Sequence, residues 1–426
     1  MADFTAEVYQ NEFLPDGGTD VHAIVTVTCT GAGAAGQAGE GDAGEIVIVD
    51  TSGSMGAVNI RAAREAAAAA IDQIIDGTWF AVIAGTHEAR MAFPAGQAEL
   101  GMVRMDSSAR AAAKLAVSRF SADGGTAMGT WLTMAARVFS TVPSLAQKHA
   151  ILLTDGENQH ETPEKLTEAI DSAKGRFQCD CRGVGSEWQV AEVRRIAQAL
   201  MGTVDIIPSG AEMAATFETL MRQSMSRGVA AATLRVWAPQ GAQVLFVRQV
   251  SPSVEDLTSR RQEVNALTGA FPTGSWGDES RDFHVAIRLA AKGIGQEQLA
   301  ARVQLAVGDN VVAQGLVKAM WSSDDTLTTQ INAEVAHYTG QTELADAIQE
   351  GLAAKAIGDD ATATAKLGRA VQLAAETGND EATAKLAKVV DIDDPNAGTV
   401  RLRRGVDKLD EMALDTASTK TTRVKK

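Results

Sequence analysis

Three short segments carry oxygen-rich side chains at places where chemistry could be done: Asp50-Thr51-Ser52-Gly53-Ser54-Met55, Gly124-Gly125-Thr126 and Thr154-Asp155-Gly156. The first follows the apolar run Ile46-Val47-Ile48-Val49, and the last follows Ala150-Ile151-Leu152-Leu153. Such continuous runs mark strands buried on both faces of a sheet. In an open α/β sheet, loops at the carboxyl ends of the strands meet in the ligand crevice. That logic brings Asp50, Ser52, Ser54 and Asp155 together, with Thr126 reaching in from a loop loosened by two glycines. Two carboxylates and three hydroxyls are hard oxygen donors, without His or Cys among them. Hard donors select Mg²⁺, Mn²⁺ or Ca²⁺ over zinc or copper. With few anionic ligands the ion stays electrophilic, ready for a carboxylate from outside, and Gly53 and Gly56 let the backbone turn tightly beside it. Taken alone, Asp-Thr-Ser-Gly-Ser is also an ordinary capped turn. It is the agreement of three separated segments in type, order and context that favours a metal site.

At these residues the chain resembles the von Willebrand factor A family and its Asp-x-Ser-x-Ser, Thr, Asp adhesion-site motif, over residues 44–225. All five motif positions are filled. The resemblance implies that Ser52, Ser54 and Thr126 would touch a divalent ion directly, with Asp50 and Asp155 acting partly through water. It implies further that the ion captures an Asp or Glu of a protein partner, as in intracellular adaptor and assembly proteins similar to this one. Two other readings stand beside that one. In the first the chain is an adaptor whose partner is an ATPase. In the second the same carboxylates serve a Mg²⁺-dependent hydrolase, which would need a general base or second metal that the sequence does not force into place. The expectation is a binding module and not an enzyme.

The elements that must position these groups are legible as α/β alternation. Strand-like runs at 46–49, 79–84, 150–153, 177–184 and 204–207 alternate with helical stretches at 59–75, 107–118, 128–140, 164–174, 187–200 and 211–225, which predicts a doubly wound, mostly parallel sheet. Around it the pattern has period two: residues 4–13 and 21–30 before, then 233–237, 244–250, 283–289, 302–307 and 311–319 after. Strands without intervening helices predict a β-sandwich. The expected layout is N-terminal sandwich strands in 1–30, a Gly/Ala-rich flexible linker in 31–44, the α/β domain in 45–227, the remaining sandwich in 228–322, a helical domain in 323–390, and a disordered, charged, Thr-rich tail in 391–426. Two strands cannot be stable alone, so both strand sets are expected to form one sandwich with the α/β domain inserted in it. The two Gly-Asp/Asn-Asp turns at 358–360 and 378–380 suggest a weak helical-hairpin repeat.

Composition bounds the rest. A net charge of −15 (39 Lys+Arg against 54 Asp+Glu) argues against nucleic acid or anionic lipid as the main ligand. No apolar stretch reaches membrane-spanning length. The N-terminus lacks a secretory pattern, and three cysteines make no disulfide framework, so the expected location is the cytoplasm. Cys179 and Cys181 share a strand face and read as core. His87, His149 and His284 are scattered, and His160 alone lies near the site loops, as a solvated rim. Trp237, Trp276 and Trp321 read as sandwich packing. There is no P-loop and no Gly-x-Ser-x-Gly elbow. In the tail, Thr416, Ser418, Thr419, Thr421 and Thr422 crowd before Arg423-Val424-Lys425-Lys426. Thr421, with Val424 three residues on, resembles the peptides read by forkhead-associated domains. Thr421 is therefore a candidate phosphorylation site for such a reader, beside the plainer reading of a solvated tail.

Overall fold

A computed structural model describes residues 2–36, 41–95 and 100–424 of the chain. Two compact units emerge: residues Ala32–Ala230 with Gly274–Gly277, and the remainder on either side of them. The α/β unit is thus an insertion, and the residues flanking it belong to one body.

The chain opens with β1 (Asp3–Gln10), β2 (Phe13–Leu14) and β3 (Asp20–Thr30). In the inserted unit follow β4 (Asp42–Asp50), α1 (Gly56–Gln73), β5 (Trp79–Gly85), β6 (Ala89–Phe93), β7 (Val103–Arg104), α2 (Ser107–Val117) and α3 (Met128–Ser140). It closes with β8 (Leu145–Thr154), α4 (Pro163–Ala173), β9 (Gln178–Val184), α5 (Val190–Ala199), β10 (Val204–Ile207) and α6 (Met213–Met225). The strand order is β10-β9-β8-β4-β5-β6, with β7 also on β5. Pairings from β10 to β5 are parallel, and β6 and β7 are antiparallel additions that sequence periodicity did not anticipate because they are short and half-exposed. Val47, Val49, Phe80, Val82, Ile151 and Leu153 pack under α1, α2 and α6 in one core. Side chains alternate across a strand, so Ile46 and Ile48, fully buried, face the other layer. The order of connection reverses at β4: the chain leaves it for β5 on one side and returns later to β8 on the other. That is the topological switch point where crevices form.

Residues 31–44 are less free than a linker. Ala32 and Ala35 are buried, the Ala35 N–H donates to Met225 O, and β4 already starts at Asp42. Small apolar side chains there are packed, which Gly/Ala composition alone disguises. Residues 37–40 of that segment lie outside the described residues.

From residue 229 the chain continues with β11 (Val229–Trp237), β12 (Gln243–Ser251), β13 (Glu255–Asp256), β14 (Gln262–Asn265), β15 (Thr268–Trp276), β16 (Glu279–Arg288), β17 (Glu297–Val307) and β18 (Asn310–Trp321), of which residues 229–230 and 274–276 count with the inserted unit and the rest with the second. One sheet has the order β1-β3-β16-β12-β13, the other β14-β15-β11-β17-β18-β2. The N-terminal strands therefore sit inside both sheets, β3 beside β16 and β2 parallel to β18. Trp276 and Trp321 are fully buried, whereas Trp237 is half-buried under the Arg302 guanidinium. Helices α7 (Asp325–Thr328), α8 (Ala333–Ala356), α9 (Asp360–Glu376) and α10 (Asp380–Val389) come next. The two Gly-Asp/Asn turns work as helix stops and starts: Gly358 and Gly378 take φ of 79° and 64°, and Asp359 and Asn379 cap α9 and α10.

The expectation of a disordered tail from 391 is wrong. β19 (Val390–Asp394) and β20 (Thr399–Leu402) form a hairpin, and α11 (Lys408–Ala417) follows. Val390, Val400 and Leu414 complete a core with Leu344, Ile348, Leu367, Val371 and Leu386. Charge hid this: Arg401–Asp393 and Arg403–Asp391 pair along the hairpin, and only a few apolar side chains per element reach the core. The signal in the sequence was Asp394-Pro395-Asn396-Ala397-Gly398, a turn between two period-two segments. Past α11 the backbone is still held, with Lys420 bridging to Ser253 and the Thr421 N–H donating to Pro252 O. Lys425 and Lys426 lie outside the described residues.

Candidate metal centre

The carboxyl ends of β4 and β8 lie side by side, with Val49 opposite Leu153. Asp50 is the last residue of β4 and is completely buried. One of its oxygens accepts the Ser52 N–H at 2.8 Å, and the other accepts the Thr154 hydroxyl at 2.7 Å. The chain then turns through Ser52, whose hydroxyl lies 2.9 Å from that of Ser54. Ser54 donates to Asp155 Oδ1 at 2.7 Å, and Asn59 in the first turn of α1 donates to Asp155 Oδ2 at 2.8 Å. Gly56 starts α1 with φ of 52°, which a side chain would strain.

The loop before α3 closes the group. The Gly53 N–H donates to Gly124 O, and the Asp123 N–H to Thr51 O, locking this loop to the first. Thr126 is nearly fully buried. Its N–H donates to His160 Nδ1 at 3.1 Å, and its carbonyl accepts the His160 N–H at 2.9 Å. Ser52, Ser54, Gly124, Gly125, Thr126, Gly156, Glu157, Gln159, His160 and Glu187 line one open cleft of about 510 Å³. A Cβ on Gly156 would stand 2.8 Å from Ser54 Oγ and 3.3 Å from Thr126 Oγ1, so glycine keeps these two hydroxyls close.

Burial pushes Asp50 up to about 6, against the opposing hydrogen bonds from Ser52 and Thr154. Asp155 is raised too, by burial first and by Glu187 among the lesser causes, while Asn59 and Ser54 hold it down. The donors to both carboxylates are a backbone N–H, hydroxyls and an amide, none of them charged. Three hydroxyls that line the cleft, with the buried carboxylates of Asp50 and Asp155 held close to them, are a donor set that fits a hard divalent cation.

All five residues singled out from the motif thus stand together. Thr154 and Asn59 were missed: a threonine ending a strand and an asparagine in a helix's first turn have commoner roles as packing and capping residues. His160 is at the rim as expected, and His87 joins it. His149 is elsewhere in this unit, buried between Glu45 and Asp180, and Cys179 and Cys181 are buried in β9. Thr421 belongs to the other unit. Its hydroxyl donates to Val250 O at 2.7 Å and its side chain is half-buried, so the free terminus on which the phosphothreonine reading rested is not there.

A von Willebrand factor type A domain model matches residues 44–206, and a von Willebrand factor type A C-terminal domain model matches residues 372–418. A solved von Willebrand factor type A protein from Catenulispora acidiphila is 48% identical over 99% of this chain and 97% of its own, with a TM-score of 0.93. The chain belongs to the von Willebrand factor type A family. The ArnB paralog VWA2 from Sulfolobus acidocaldarius shares the fold at 15% identity and a TM-score of 0.60, over 98% of both chains. An uncharacterized Synechocystis protein, sll0103, is 29% identical over 220 residues, 51% of this chain and 50% of that one. The chain therefore spans about half the length of that curated relative. Von Willebrand factor type A domains are protein-interaction modules. Among the described residues no helix is long and apolar enough to cross a membrane. The ordered end of α9 through α11 falls within the C-terminal domain match, which reaches past residue 391 into the segment that charge had made look unfolded.

Proposed function

We propose that this von Willebrand factor type A protein is a metal-dependent adaptor that captures an Asp or Glu side chain of a protein partner. Ser52, Ser54, Thr126, Asp50 and Asp155 would hold one Mg²⁺, with Mn²⁺ or Ca²⁺ as chemically allowed substitutes. Bound there, the ion offers an electrophilic site to an oxygen ligand from outside. Asp50 and Asp155 supply charge, the three hydroxyls supply neutral oxygens, and Thr154 and Asn59 fix the carboxylates. The carrying observation is that the two buried carboxylates receive only neutral donors from the chain. A buried anion without a counter-charge is costly, and a cation at this place offsets that cost. Three free cysteines agree with work in the cytoplasm.

Calorimetric titration with Mg²⁺ is the direct test. Wild type should bind one ion, and the Asp50→Ala/Asp155→Ala variant should bind none. Equal affinity in the two proteins would end this reading. Partner capture from the native cell should then fail with Asp155→Ala and with chelator, but persist when Mg²⁺ is restored to wild type.

A further inference from the structure

Gly124 and Gly125 are glycines because two imidazole rings occupy the space of their side chains. A Cβ on Gly125 would fall 2.2 Å from His160 Nδ1 and Cε1, and one on Gly124 would fall 2.8 Å from His87 Nδ1. Both rings turn Nδ1 toward the backbone: His160 Nδ1 accepts the Thr126 N–H at 3.1 Å, and His87 Nδ1 accepts the Gly125 N–H at 3.4 Å. The shorter contact is the better hydrogen bond. A ring nitrogen that accepts from a backbone N–H carries no proton of its own, so the ring proton of His160 sits on Nε2. The side chain that carries it is exposed and lines the same cleft as Ser52, Ser54 and Thr126.

We infer that His160 is a specificity-determining residue of this centre, its Nε2–H donating to the second oxygen of the partner's carboxylate while the first completes the cation's shell. The inference rests on the metal-dependent reading above. A carboxylate has two oxygens, and a single cation uses one of them in monodentate contact. Nε2–H gives the other a directed donor, fixed in place because Nδ1 is already committed to Thr126. Ser54 and Thr126 keep their hydroxyls for the cation. Glu157 and Glu187, which line the same cleft, repel a doubly charged phosphate more than a singly charged carboxylate. The ligand class that fits is therefore a protein carboxylate, chosen over both a phosphate and a side-chain amide.

His160→Asn separates the two roles of the ring. The Asn amide oxygen can stand where Nδ1 accepts from Thr126, but nothing replaces Nε2–H. In the full chain saturated with Mg²⁺, binding of N-acetylglutamate α-amide is followed by NMR titration, with N-acetylglutamine amide and inorganic phosphate as comparison probes. Mg²⁺ affinity is measured separately by calorimetry, and folding by thermal denaturation. The Asn variant should keep Mg²⁺ affinity within about twofold and lose roughly tenfold in affinity for the glutamate probe, as expected for one hydrogen bond to a charged group. His160→Ala should lose in both measurements, since Thr126 then loses its acceptor. Wild type should prefer the glutamate probe to the other two. Wild-type affinity for the carboxylate in the Asn variant, with Mg²⁺ still required, would overturn the role of His160 and leave the metal site standing. Probe binding indifferent to Mg²⁺ in wild type would overturn both.

Discussion

The two ends of β4 present two ways of burying carboxylates. At its start, Glu45 is fully buried and faces His149 on β8, and five residues further, ~16 Å along an extended strand, Asp50 ends the strand. At the first end, His149 donates to Glu45 at 2.8 Å and to Asp180 at 3.0 Å, Ser224 donates to Glu45, and Arg227 lies 3.9 Å from Asp180. Burial alone would lower His149, but Glu45 and Asp180 together raise it to about 9. Burial opposes ionisation of Asp180, yet His149 and the two arginines Arg227 and Arg182 hold it far below the usual carboxylate range. At the other end, burial raises Asp50 and Asp155 with only neutral donors to oppose it. One cluster brings its own cations and is closed. The other lies behind hydroxyls that line a cleft and is short of positive charge. The first cluster is neutralised by its own side chains, whereas the second holds its carboxylates with neutral donors alone, which is what the proposed metal site requires.

The largest effect should come from breaking the closed cluster. His149→Leu leaves two buried carboxylates facing each other, and stability by urea denaturation should fall by roughly 3–5 kcal/mol, with Mg²⁺ affinity of the folded fraction little changed. A smaller loss, or lost Mg²⁺ binding in still-folded protein, would mean the two ends are not separate.

Stability against pH should resolve the two clusters as separate steps. His149 has a folded value above its ordinary 6.5, so its contribution is complete below pH 6.5 and is lost as pH rises through about 9. Asp50 also binds its proton more tightly in the folded state, so metal-free stability falls as pH rises from 3.8 through about 6. Each step is on the order of 3 kcal/mol. Asp50→Asn should shrink the lower step alone, since Asp155 is raised as well and shares it, and His149→Leu should remove the upper alone. A single step common to both variants would refute the assignment.

Mg²⁺ at about a hundred times its Kd should stabilise wild type by ~2.7 kcal/mol and Asp50→Asn/Asp155→Asn not at all. In the absence of metal the double Asn variant should be as stable as wild type at pH 8 or more so, since it buries no unmatched charge. Marked destabilisation there would show that the open carboxylates are structural.

The smallest effects compare one hydroxyl from each cluster. Ser224→Ala and Thr154→Val each remove one donor to a buried carboxylate, and each should cost about 1–3 kcal/mol. Only Thr154→Val should also weaken Mg²⁺ binding, by several-fold, because Thr154 fixes Asp50. Equal Mg²⁺ affinities in the two variants would remove Thr154 from the metal centre.

What the sequence determined by itself is the motif and the frame that carries it. Apolar runs ending in Asp50 and Thr154 identify buried parallel strands, and the switch-point rule then places their loops together without any coordinates. The α/β alternation and the period-two flanks are local signals, and each was legible for the same reason: a buried face repeats within a few residues. Tertiary structure decided everything that depends on side chains aiming at one another across the fold. Thr154 bonds Asp50 across 104 residues, Asn59 bonds Asp155 across 96, and His149 joins Glu45 across 104 and Asp180 across 31. No periodicity encodes such pairs, because register and rotamer settle them only once the sheet is assembled. The folded end of the chain teaches the same point from the other side. Val390, Val400 and Leu414 are too sparse to announce a core, and they become one only because α8, α9 and α10 supply its remaining walls.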